Sequence, residues 1–225
     1  MKWAARTLSS RLRPKARSIA CLLVARRPLI PPDPPLTDDE IILRPRRVED
    51  VPLIAEASHD PETRCWLDDE PLTADRQRDS IARAEERWRS GESAPFVIAD
   101  AATDAPLGLL NLQFEDDQEV AGLAVSVFPR ERGRGVASRA LRLGAIWGLR
   151  EVGLHRVYAE TAVENVASAR AIERAGFLRE GLLRAHCKTH GRRHDCIIFS
   201  LVPEDIRHVE NRDFASSNGE SGGGA

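Results

Sequence analysis

A glycine-rich turn between a strand and a helix is the feature that most restricts how this chain can fold. Residues 120–128 (VAGLAVSVF) are mostly apolar without a helical repeat, which is typical of a buried strand. From Val136 to Trp147 the apolar residues instead recur at helical spacing, on one face. The segment between them, Arg130-Glu131-Arg132-Gly133-Arg134-Gly135, contains no large apolar residue. The pattern therefore predicts a strand, a tight turn and an amphipathic helix.

The turn has the composition of an anion-binding site. Gly133 and Gly135 allow backbone N–H groups to converge without side chains in the way, and the helix that follows adds the positive end of its dipole. Four arginines add cationic charge around the turn: Arg130, Arg132, Arg134 and Arg139. These features predict a phosphate or pyrophosphate site; the alternative is a plain surface turn with solvated arginines.

Two common nucleotide-binding motifs are absent from the sequence. A P-loop requires a Gly, four residues and then Gly-Lys-Ser/Thr, and the chain has no such string. A dinucleotide-binding turn requires a third glycine three positions after Gly135, where this chain has Ser138. ATP and NAD are therefore not expected as ligands.

The rest of the body alternates between short apolar runs and helical repeats. Before the turn, the pattern predicts helices from Val48 to about Ser58 and from Thr73 to Ser90, with strands at 41–43, 95–100 and 107–114. The helix after the turn is expected to end at Gly153. Next come a strand at 155–160, a helix at 165–175 and a closing hairpin about Gly191, formed by 178–188 and 195–201. This order predicts an α/β (α+β) fold with a mixed, mostly antiparallel sheet.

Charge is unevenly distributed along the chain. Residues 1–36 carry eight Lys or Arg against one Asp, a net charge of +7, and the remainder carries −9. The acidic body favours a cationic partner such as an amine and argues against nucleic-acid binding. We divide the chain into a basic, proline-ended leader (1–36) that is expected to be disordered, a folded domain (37–205) and a flexible tail (206–225). The leader has three interpretations: a targeting segment, a misassigned start or a disordered tail.

Cysteine usage and hydropathy bear on the compartment. The four cysteines are too few and too scattered for a disulfide scaffold, which favours a reducing compartment and a cytoplasmic protein: Cys21, Cys65, Cys187 and Cys196. No apolar run approaches the roughly 18–20 residues of a membrane-spanning helix, so no membrane partner is expected.

Several short motifs follow one another along the body. They are Arg130-x-x-Gly133-x-Gly135, Asn165-x-x-Ser168-x-Arg170, Ala175-Gly176-Phe177 and Arg179-Glu180-Gly181, together with Leu43-Arg44-Pro45, Gly108 and the segment 191–195. In this order and spacing they resemble the GNAT acetyltransferase superfamily, in particular its RimJ/RimL-like branch. The first resembles motif A, which binds the pyrophosphate of acetyl-CoA, and the second resembles motif B. The resemblance extends over roughly residues 41–201.

The resemblance implies a fold and a cofactor site. The implied fold is a sheet of about seven strands flanked by helices, with a splayed strand pair at the acetyl-CoA site and no metal. The strand at 124–128 would hold the pantetheine arm and the thioester through its unpaired backbone groups. The implied cofactor-binding residues are Val127, Phe128, Arg130, Arg132, Gly133, Arg134, Gly135, Val136, Ala137, Ser138 and Asn165.

The resemblance also implies an activity. A member of this branch would transfer the acetyl group of acetyl-CoA to a primary amine, such as a protein N-terminal α-amine, by direct attack through a tetrahedral intermediate. Two alternatives stay open at this point. The acceptor is a small amine such as a polyamine or an aminoglycoside, or the domain binds acyl-CoA without catalysis. The partners are then acetyl-CoA and the amine, with no nucleic acid, for a monomer or a homodimer.

The catalytic residues implied by the family are only partly present. Many relatives carry a tyrosine four residues after Ser168 to protonate the leaving thiolate, and this chain has Ile172 there. We therefore take Ser168 as the acid, with Tyr158 (the single tyrosine) or a water molecule as alternatives. Glu160 is the candidate base and Glu115 the second choice.

Two further segments have alternative interpretations. Cys187-x-x-His190-x-x-x-His194-x-Cys196 offers zinc-ligand types, although its spacing is not that of a standard finger and the closing hairpin already explains it. If Gly191-Arg192 forms the hairpin turn, Cys187 and Cys196 face each other, but a disulfide is disfavoured in a reducing compartment. Trp66 and the acidic residues 68–70 follow the first helix, where this family shapes its acceptor pocket.

Overall fold

A single eight-stranded sheet forms the centre of the molecule. The structure is a computed structural model that describes residues 26–67, 71, 73, 76 and 79–206. The strands are β1 (Leu36–Thr37), β2 (Ile41–Arg44), β3 (Ser93–Asp100), β4 (Pro106–Phe114), β5 (Val120–Val127), β6 (Arg156–Ala162), β7 (Leu178–Thr189) and β8 (Arg192–Leu201). The helices are α1 (Val51–Ser58), α2 (Pro61–Trp66), α3 (Ser80–Ser90), α4 (Val136–Trp147) and α5 (Val166–Arg174).

The strand order is β1-β2-β3-β4-β5-β6-β8-β7, and every neighbouring pair is antiparallel except β5–β6. The mixed, mostly antiparallel sheet predicted from the sequence is thereby confirmed. The sheet has eight strands and not seven because Leu36, which we had assigned to the leader, and Thr37, the first residue of the assigned domain, pair with Leu43 and Ile42.

Both faces of the central strands are covered. Along β3, Phe96 and Ile98 belong to the main core, whereas Val97 and Ala99 belong to a smaller cluster with Ile54 of α1. The main core also takes in residues of α3, α4 and α5. Because both faces are buried, β3 is apolar at nearly every position, as its sequence predicted.

Two tryptophans anchor the helices of the main core. The ring centroids of Trp88 and Phe96 lie 5.1 Å apart, those of Phe96 and Trp147 5.4 Å, and each pair meets edge to face. Gly144 lets α4 approach the sheet closely, since a Cβ there would lie 2.7 Å from Leu110 Cδ2. The close packing of α4 fixes the position of the turn that precedes it.

The expectation that the leader is disordered as far as residue 36 is wrong for residues 26–36. Leu29 is only 8% exposed and belongs to the main core, and its N–H donates to the Trp88 carbonyl over 2.9 Å. Arg26 pairs with Asp116 at 2.8 Å. One apolar side chain and these specific bonds hold the segment against the body. Residues 1–25 and 207–225 lie outside the described residues.

Two early helices differ from the predicted ones. The sequence analysis did not predict α2, although Asp60 accepts the Thr63 N–H at 2.8 Å as its N-cap and Pro61 occupies the first position. The helix expected from Thr73 is described from Ser80 onward, because 74, 75, 77 and 78 fall outside the described residues. Within the described ranges, no helix combines the length and the apolar character needed to cross a membrane.

A buried arginine ties the connection after β2 to the sheet. Arg44 is 2% exposed and makes a two-pronged ion pair with Asp50, at 2.8 and 2.9 Å. Its Nε donates to Asp104 at 2.6 Å. Hydrogen bonding to Asp50 raises the pKa of Arg44 above its usual value, so the charge is fully retained in the interior.

Candidate active site

The sheet opens between β5 and β6. These parallel strands pair only at their beginnings, and the last pair is Gly122 with Tyr158. The N–H of Phe128 donates to the Leu107 carbonyl of β4 at 2.9 Å. Since successive residues of an antiparallel pair point in opposite directions, Val125 and Val127 turn their N–H and C=O groups toward the opening. The splayed pair expected from the resemblance is present, and its free backbone groups belong to β5.

Phe128 does not have the role implied by the resemblance. Its N–H is bonded to β4, its carbonyl accepts the Glu131 N–H at 2.9 Å, and its ring packs in the small cluster with Ile54 and Val97. Neither its backbone nor its side chain is available to a ligand in the opening. The assignment to the cofactor was wrong because the strand ends at Val127, one residue earlier than predicted.

The turn before α4 presents unpaired amides. Gly133 and Gly135 have φ values of +77° and +80°, a conformation that residues with side chains rarely adopt. The first bond within the helix runs from the Arg139 N–H to the Gly135 carbonyl, at 3.2 Å. Within the described part of the chain, the N–H groups of Val136, Ala137 and Ser138 have no acceptor. This end of α4 can therefore bind an anion.

Space around Gly133 is open. A Cβ built at this position would have no neighbour within 4 Å, whereas one at Gly135 would reach only Ser138 Oγ, at 4.0 Å. Ser138 itself donates its hydroxyl to the Gly135 carbonyl at 2.8 Å, which stabilises the turn. The amide-lined concavity is thus accessible to a phosphate group.

The arginines of the turn are engaged by carboxylates. Arg132 donates to Asp60 at 2.6 Å and to Glu62 at 2.8 Å, and the guanidinium lowers the pKa of Asp60. Arg134 pairs with Glu131. In the structure Arg132 therefore joins the turn to α2 and Arg134 braces the turn internally, while direct binding of the phosphate by these arginines stays a prediction.

The remaining two arginines, Arg130 and Arg139, have different surroundings. Arg139 pairs with Asp38 at 3.0 Å and so connects α4 to the β1–β2 turn. Arg130 is exposed and does not line the cleft described below. The anion site of this turn is therefore made mainly of backbone N–H groups.

A cleft of about 400 Å³ extends from this turn into the opening of the sheet. Its walls are β5, the turn, α5 and α2. Because α5 packs in the main core and α2 follows α1, which covers the other face, the cleft reaches both sides of the sheet through the opening. The predicted site residues that line it are Val127, Arg132, Gly133, Gly135, Val136, Ala137, Ser138, Asn165 and Ser168. Those that do not are Phe128, Arg130, Arg134, Tyr158 and Glu160.

The N-terminal end of α5 forms the wall opposite the turn. Asn165 is its N-cap, and the side-chain Oδ1 accepts the Ser168 N–H at 3.1 Å. The side-chain carbonyl oxygen of Asn165 thus caps the helix, and the side-chain NH₂ group is left for a ligand. Ser168 is partly buried and lines the cleft from the first turn of α5.

Tyr158 lies in a second, shallow cleft away from the first. Its hydroxyl donates to Glu115 Oε1 at 2.9 Å, and its neighbours there include Asp116 and Arg156. Burial, followed by the bond to Glu115, raises the pKa of Tyr158 to about 12. The structure does not bring Tyr158 or Glu115 to the main cleft, and the phenol proton is held by a carboxylate.

Glu160 stands beside the opening on β6, two residues beyond the last pair with β5. Its Oε2 lies 3.2 Å from His186 Nε2 of β7. The sequence analysis gave His186 no role. No local pattern could reveal it, because a β-bulge between Leu183 and Cys187 determines where this side chain goes.

The sequence analysis also missed the contribution of α2. Glu62, Thr63, Trp66 and Leu67 all line the cleft, and only Trp66 had been considered as a lining residue. The Asp60-Pro61 pair was the available signal for a helix start. The acidic residues 68–70 lie outside the described residues.

The tip of the β7–β8 hairpin contacts α2. His190 Nε2 lies 2.6 Å from the Arg64 carbonyl oxygen. The turn itself is His190-Gly191, between Thr189 and Arg192, and not Gly191-Arg192 as predicted. Both turn residues have positive φ, at 50° and 75°, which suits the twist of a two-residue hairpin.

Cys187 and Cys196 are joined by a disulfide with a Cα–Cα distance of 6.1 Å. The sequence analysis disfavoured this bond because it assumed a reducing compartment. The bulge brings the two cysteines together although the register places Leu183, and not Cys187, opposite Cys196. The bond also removes the two thiolates on which the zinc alternative depended. Cys65 is free and exposed.

Comparisons with known proteins agree with this geometry. A family model described as an acetyltransferase (GNAT) domain matches residues 40–178. Among curated relatives, the uncharacterized N-acetyltransferase p20 of Bacillus licheniformis is 27% identical over 172 residues, which are 76% of this chain and 97% of the relative.

Three solved structures share the fold. RimJ of Mycobacterium smegmatis, in complex with CoA-disulfide, superposes with a TM-score of 0.70 at 22% identity, over 81% of this chain and 93% of that one. RimL, a ribosomal L7/L12 alpha-N-protein acetyltransferase in complex with coenzyme A, superposes with a TM-score of 0.66 at 18% identity, over 76% of this chain and 98% of that one. Spermidine N-acetyltransferase of Vibrio cholerae, in complex with CoA and spermine, superposes with a TM-score of 0.65 at 20% identity, over 76% of this chain and 99% of that one. At these identities the likeness establishes the fold.

Proposed function

The chain belongs to the GNAT acetyltransferase family and is an acetyl-CoA-dependent N-acetyltransferase, and from this premise we propose that it acetylates the N-terminal α-amine of a protein. The observation that carries the proposal is the cleft that joins the amides of the 133–138 turn to the opening between β5 and β6. One end suits a diphosphate, and the other lies at the backbone edge that a thioester requires.

The residues present fit acetyl-CoA. The open space at Gly133 and the free N–H groups of Val136, Ala137 and Ser138 suit the diphosphate. The edge groups of Val125 and Val127 would bond the amides of the pantetheine arm in the manner of an added strand. When bound, acetyl-CoA supplies an acetyl group activated as a thioester.

The same edge would assist the chemistry. The amine attacks the thioester carbon, and the carbonyl oxygen gains negative charge as the new bond forms. An N–H of β5 that faces the opening, from Val125 or Val127, is placed to stabilise this oxygen without reorganisation. The attacking amine and the thioester are held together in one cleft, which lowers the entropic cost of their encounter.

Two side chains are assigned to proton transfer. Ser168, on the first turn of α5, would donate a proton to the sulfur that leaves as thiolate. Glu160, beside the opening, would accept a proton from the acceptor ammonium, because only the neutral amine is a nucleophile. Asn165 would hold the pantetheine arm through its NH₂ group.

The nature of the acceptor follows from the α2 side of the cleft. Trp66 and Leu67 give it an apolar wall, which suits the first side chain of a peptide. RimL, which shares the fold, is a protein α-amine acetyltransferase by name. The alternative is a small polyamine, favoured by the net charge of −9 outside the leader and by the likeness to spermidine N-acetyltransferase.

A CoA-release assay with paired acceptors tests the proposal. The acceptors are short peptides that differ in their first residue, the same peptides with a blocked α-amine, and spermidine. We expect release with the free peptides and none with the blocked ones. Release with spermidine alone would establish the polyamine alternative, and binding of acetyl-CoA without release on any amine would make the domain a non-catalytic acyl-CoA-binding protein.

A further inference from the structure

We propose that His186 is a positioning residue for Glu160, holding that carboxylate at the opening of the sheet in its role as the base that accepts the proton of the acceptor amine. This inference rests on the proposed transferase function and extends it to a residue on a different strand. It is carried by the contact between His186 Nε2 and Glu160 Oε2, at 3.2 Å.

The contact crosses an intervening strand. Glu160 of β6 is in register with Ile198 of β8, which is in register with Gly181 of β7. Gly181 has no side chain, and a Cβ there would meet nothing within 4 Å. Gly181 therefore leaves open space on the far side of Ile198, and a side chain from further along β7 can reach across β8 to Glu160.

A β-bulge directs His186 into that space. Between the pairs Leu183–Cys196 and Cys187–His194, β7 has three residues where β8 has one. Ala185, in the middle of the bulge, has a φ of +48°. Such a bulge turns its side chains away from their regular alternation. In a regular strand, the side chain of residue 186 would instead point to the face set by simple alternation along β7.

Several bonds hold the bulge in place. The Ala185 N–H donates to Asp195 Oδ1 at 2.7 Å, and Arg193 donates to the Ala185 and His186 carbonyls at 3.3 and 3.0 Å. The disulfide between Cys187 and Cys196 ties the same segment to β8. Ala185 has a φ value that is unusual for alanine, and bonds to β8 hold it there. We infer that this conformation serves the position of the next side chain, His186.

The pair has a definite chemical consequence. With Nε2 protonated, His186 donates to Glu160 and leaves the other carboxylate oxygen free to take a proton from the ammonium nitrogen. The proton moves from that nitrogen to Glu160, and the nitrogen lone pair becomes available for attack. If the imidazole gains a second proton, its positive charge stabilises the carboxylate and makes Glu160 a weaker base. The rate is therefore expected to fall as His186 becomes charged.

Other charged groups surround His186. Arg184 and Lys188 are on its own strand, Arg193 and Asp195 are on β8, and Tyr158 shares β6 with Glu160. His186 and Glu160 are each partly exposed. The pH dependence of turnover then reports the pair as a unit and not either residue alone.

Four variants of the full chain, assayed by CoA release with a reactive amine, test the proposal: His186→Ala, His186→Gln, Glu160→Gln and the Glu160→Gln/His186→Ala double. His186→Ala should lower kcat about tenfold with little change in KM for acetyl-CoA. His186→Gln, which keeps an N–H donor near the Nε2 position, should recover most of the rate. The pH profile of its turnover should also differ from that of the wild type, because glutamine cannot take up the positive charge of an imidazolium. His194→Ala, on the same hairpin, is the matched control and should keep the wild-type rate.

The double variant separates positioning from a general effect on the fold. If His186 acts through Glu160, the double variant should be no slower than Glu160→Gln alone. Additive losses, an unchanged rate in His186→Ala, or a wild-type rate in Glu160→Gln would each overturn the inference while leaving the transferase function intact. A wild-type protein that releases no CoA with any amine would instead overturn the proposed function, and the inference with it.

Discussion

Arg132 of the glycine-rich turn donates a hydrogen bond to Asp60, the N-cap of α2, over 2.6 Å. Its other nitrogen reaches Glu62 at 2.8 Å. A side chain that the sequence placed on the phosphate thus joins two walls of the cleft, one on each side of the sheet opening. The position of α2, and with it the acceptor end, depends on the same turn that binds the cofactor.

Replacing Arg132 by Gln should therefore affect both ends of the cleft. We expect KM for acetyl-CoA and for the amine each to rise about fivefold, since a partly exposed ion-pair network is worth about 1 kcal/mol. Steady-state kinetics with each substrate varied in turn measure this. Asp60→Asn should give a similar loss that does not add to that of Arg132→Gln. A rise confined to acetyl-CoA would return Arg132 to the phosphate.

Replacing Ser168 by Ala should lower kcat about a hundredfold and leave KM for acetyl-CoA within about threefold, because the hydroxyl is assigned to protonation of the leaving sulfur and not to binding. Single-turnover kinetics separate the chemical step from product release. Ser90→Ala, at the C-terminal end of α3 and outside the lining of the cleft, is the matched control. A wild-type rate in Ser168→Ala would assign the proton donor to water.

The single tyrosine offers a direct optical test of its environment. Tyr158 should ionise near pH 12, well above its ordinary value of 10.0, because burial and the bond to Glu115 disfavour the phenolate. Absorbance at the phenolate band measures this with no other tyrosine in the chain, while circular dichroism at each pH checks that the fold persists. Glu115→Gln should lower the value. An ordinary pKa in the wild type would contradict the buried contact.

This shift also has a consequence for stability. The folded-state pKa of Tyr158 is raised above the unfolded value, so its contribution to the free energy of unfolding is fully present below about pH 10 and is lost as the pH rises toward 12. Chemical denaturation between these values should show stability falling with pH. The dependence of the free energy of unfolding on pH should be weaker in Tyr158→Phe, which lacks the ionising group.

Arg44 should be the most sensitive of the charged positions to replacement. Arg44→Met removes one partner of a buried pair and leaves Asp50, itself 2% exposed, without its counter-ion. We expect the free energy of unfolding to fall by about 3–5 kcal/mol, as measured by urea denaturation. Arg89→Met, which breaks an exposed pair with Glu86 on α3, should change it by less than about 1 kcal/mol.

The sheet and the cofactor turn were predictable from the sequence because local rules act there without competition. The apolar runs of β3, β4 and β5 predict strands, the change of period at Val136 predicts the start of α4, and the glycines at 133 and 135 predict the turn between β5 and α4. The helix predicted at 165–175 is likewise present, although it begins at Val166 with Asn165 as its N-cap. The predicted strand was one residue longer than β5, which ends at Val127. For this reason Phe128, which packs in the smaller buried cluster, was assigned to the cofactor site.

Features that depend on long-range contacts could not be predicted in this way. Leu29 gave no local sign that it belongs to the main core, because its partners lie near Trp88. The bulge at Ala185 changes which residues of β7 face Glu160, and a bulge is invisible to an alternation rule. Arg132 carried the right charge for a phosphate, but its carboxylate partners are the N-cap and first turn of α2, which the sequence analysis had not assigned.

Binding of acetyl-CoA to Gly133→Glu, measured by calorimetry against the wild type, tests the central claim most directly. A glutamate there would place a side chain and a negative charge in the open, amide-lined space, so the affinity should fall at least about a hundredfold while the thermal midpoint stays close to that of Gly153→Glu. Gly153 has a similar φ, +84° against +77°, and an equally open Cβ position far from the cleft, so Gly153→Glu should bind as the wild type does. Equal affinity in the wild type and Gly133→Glu would contradict the account.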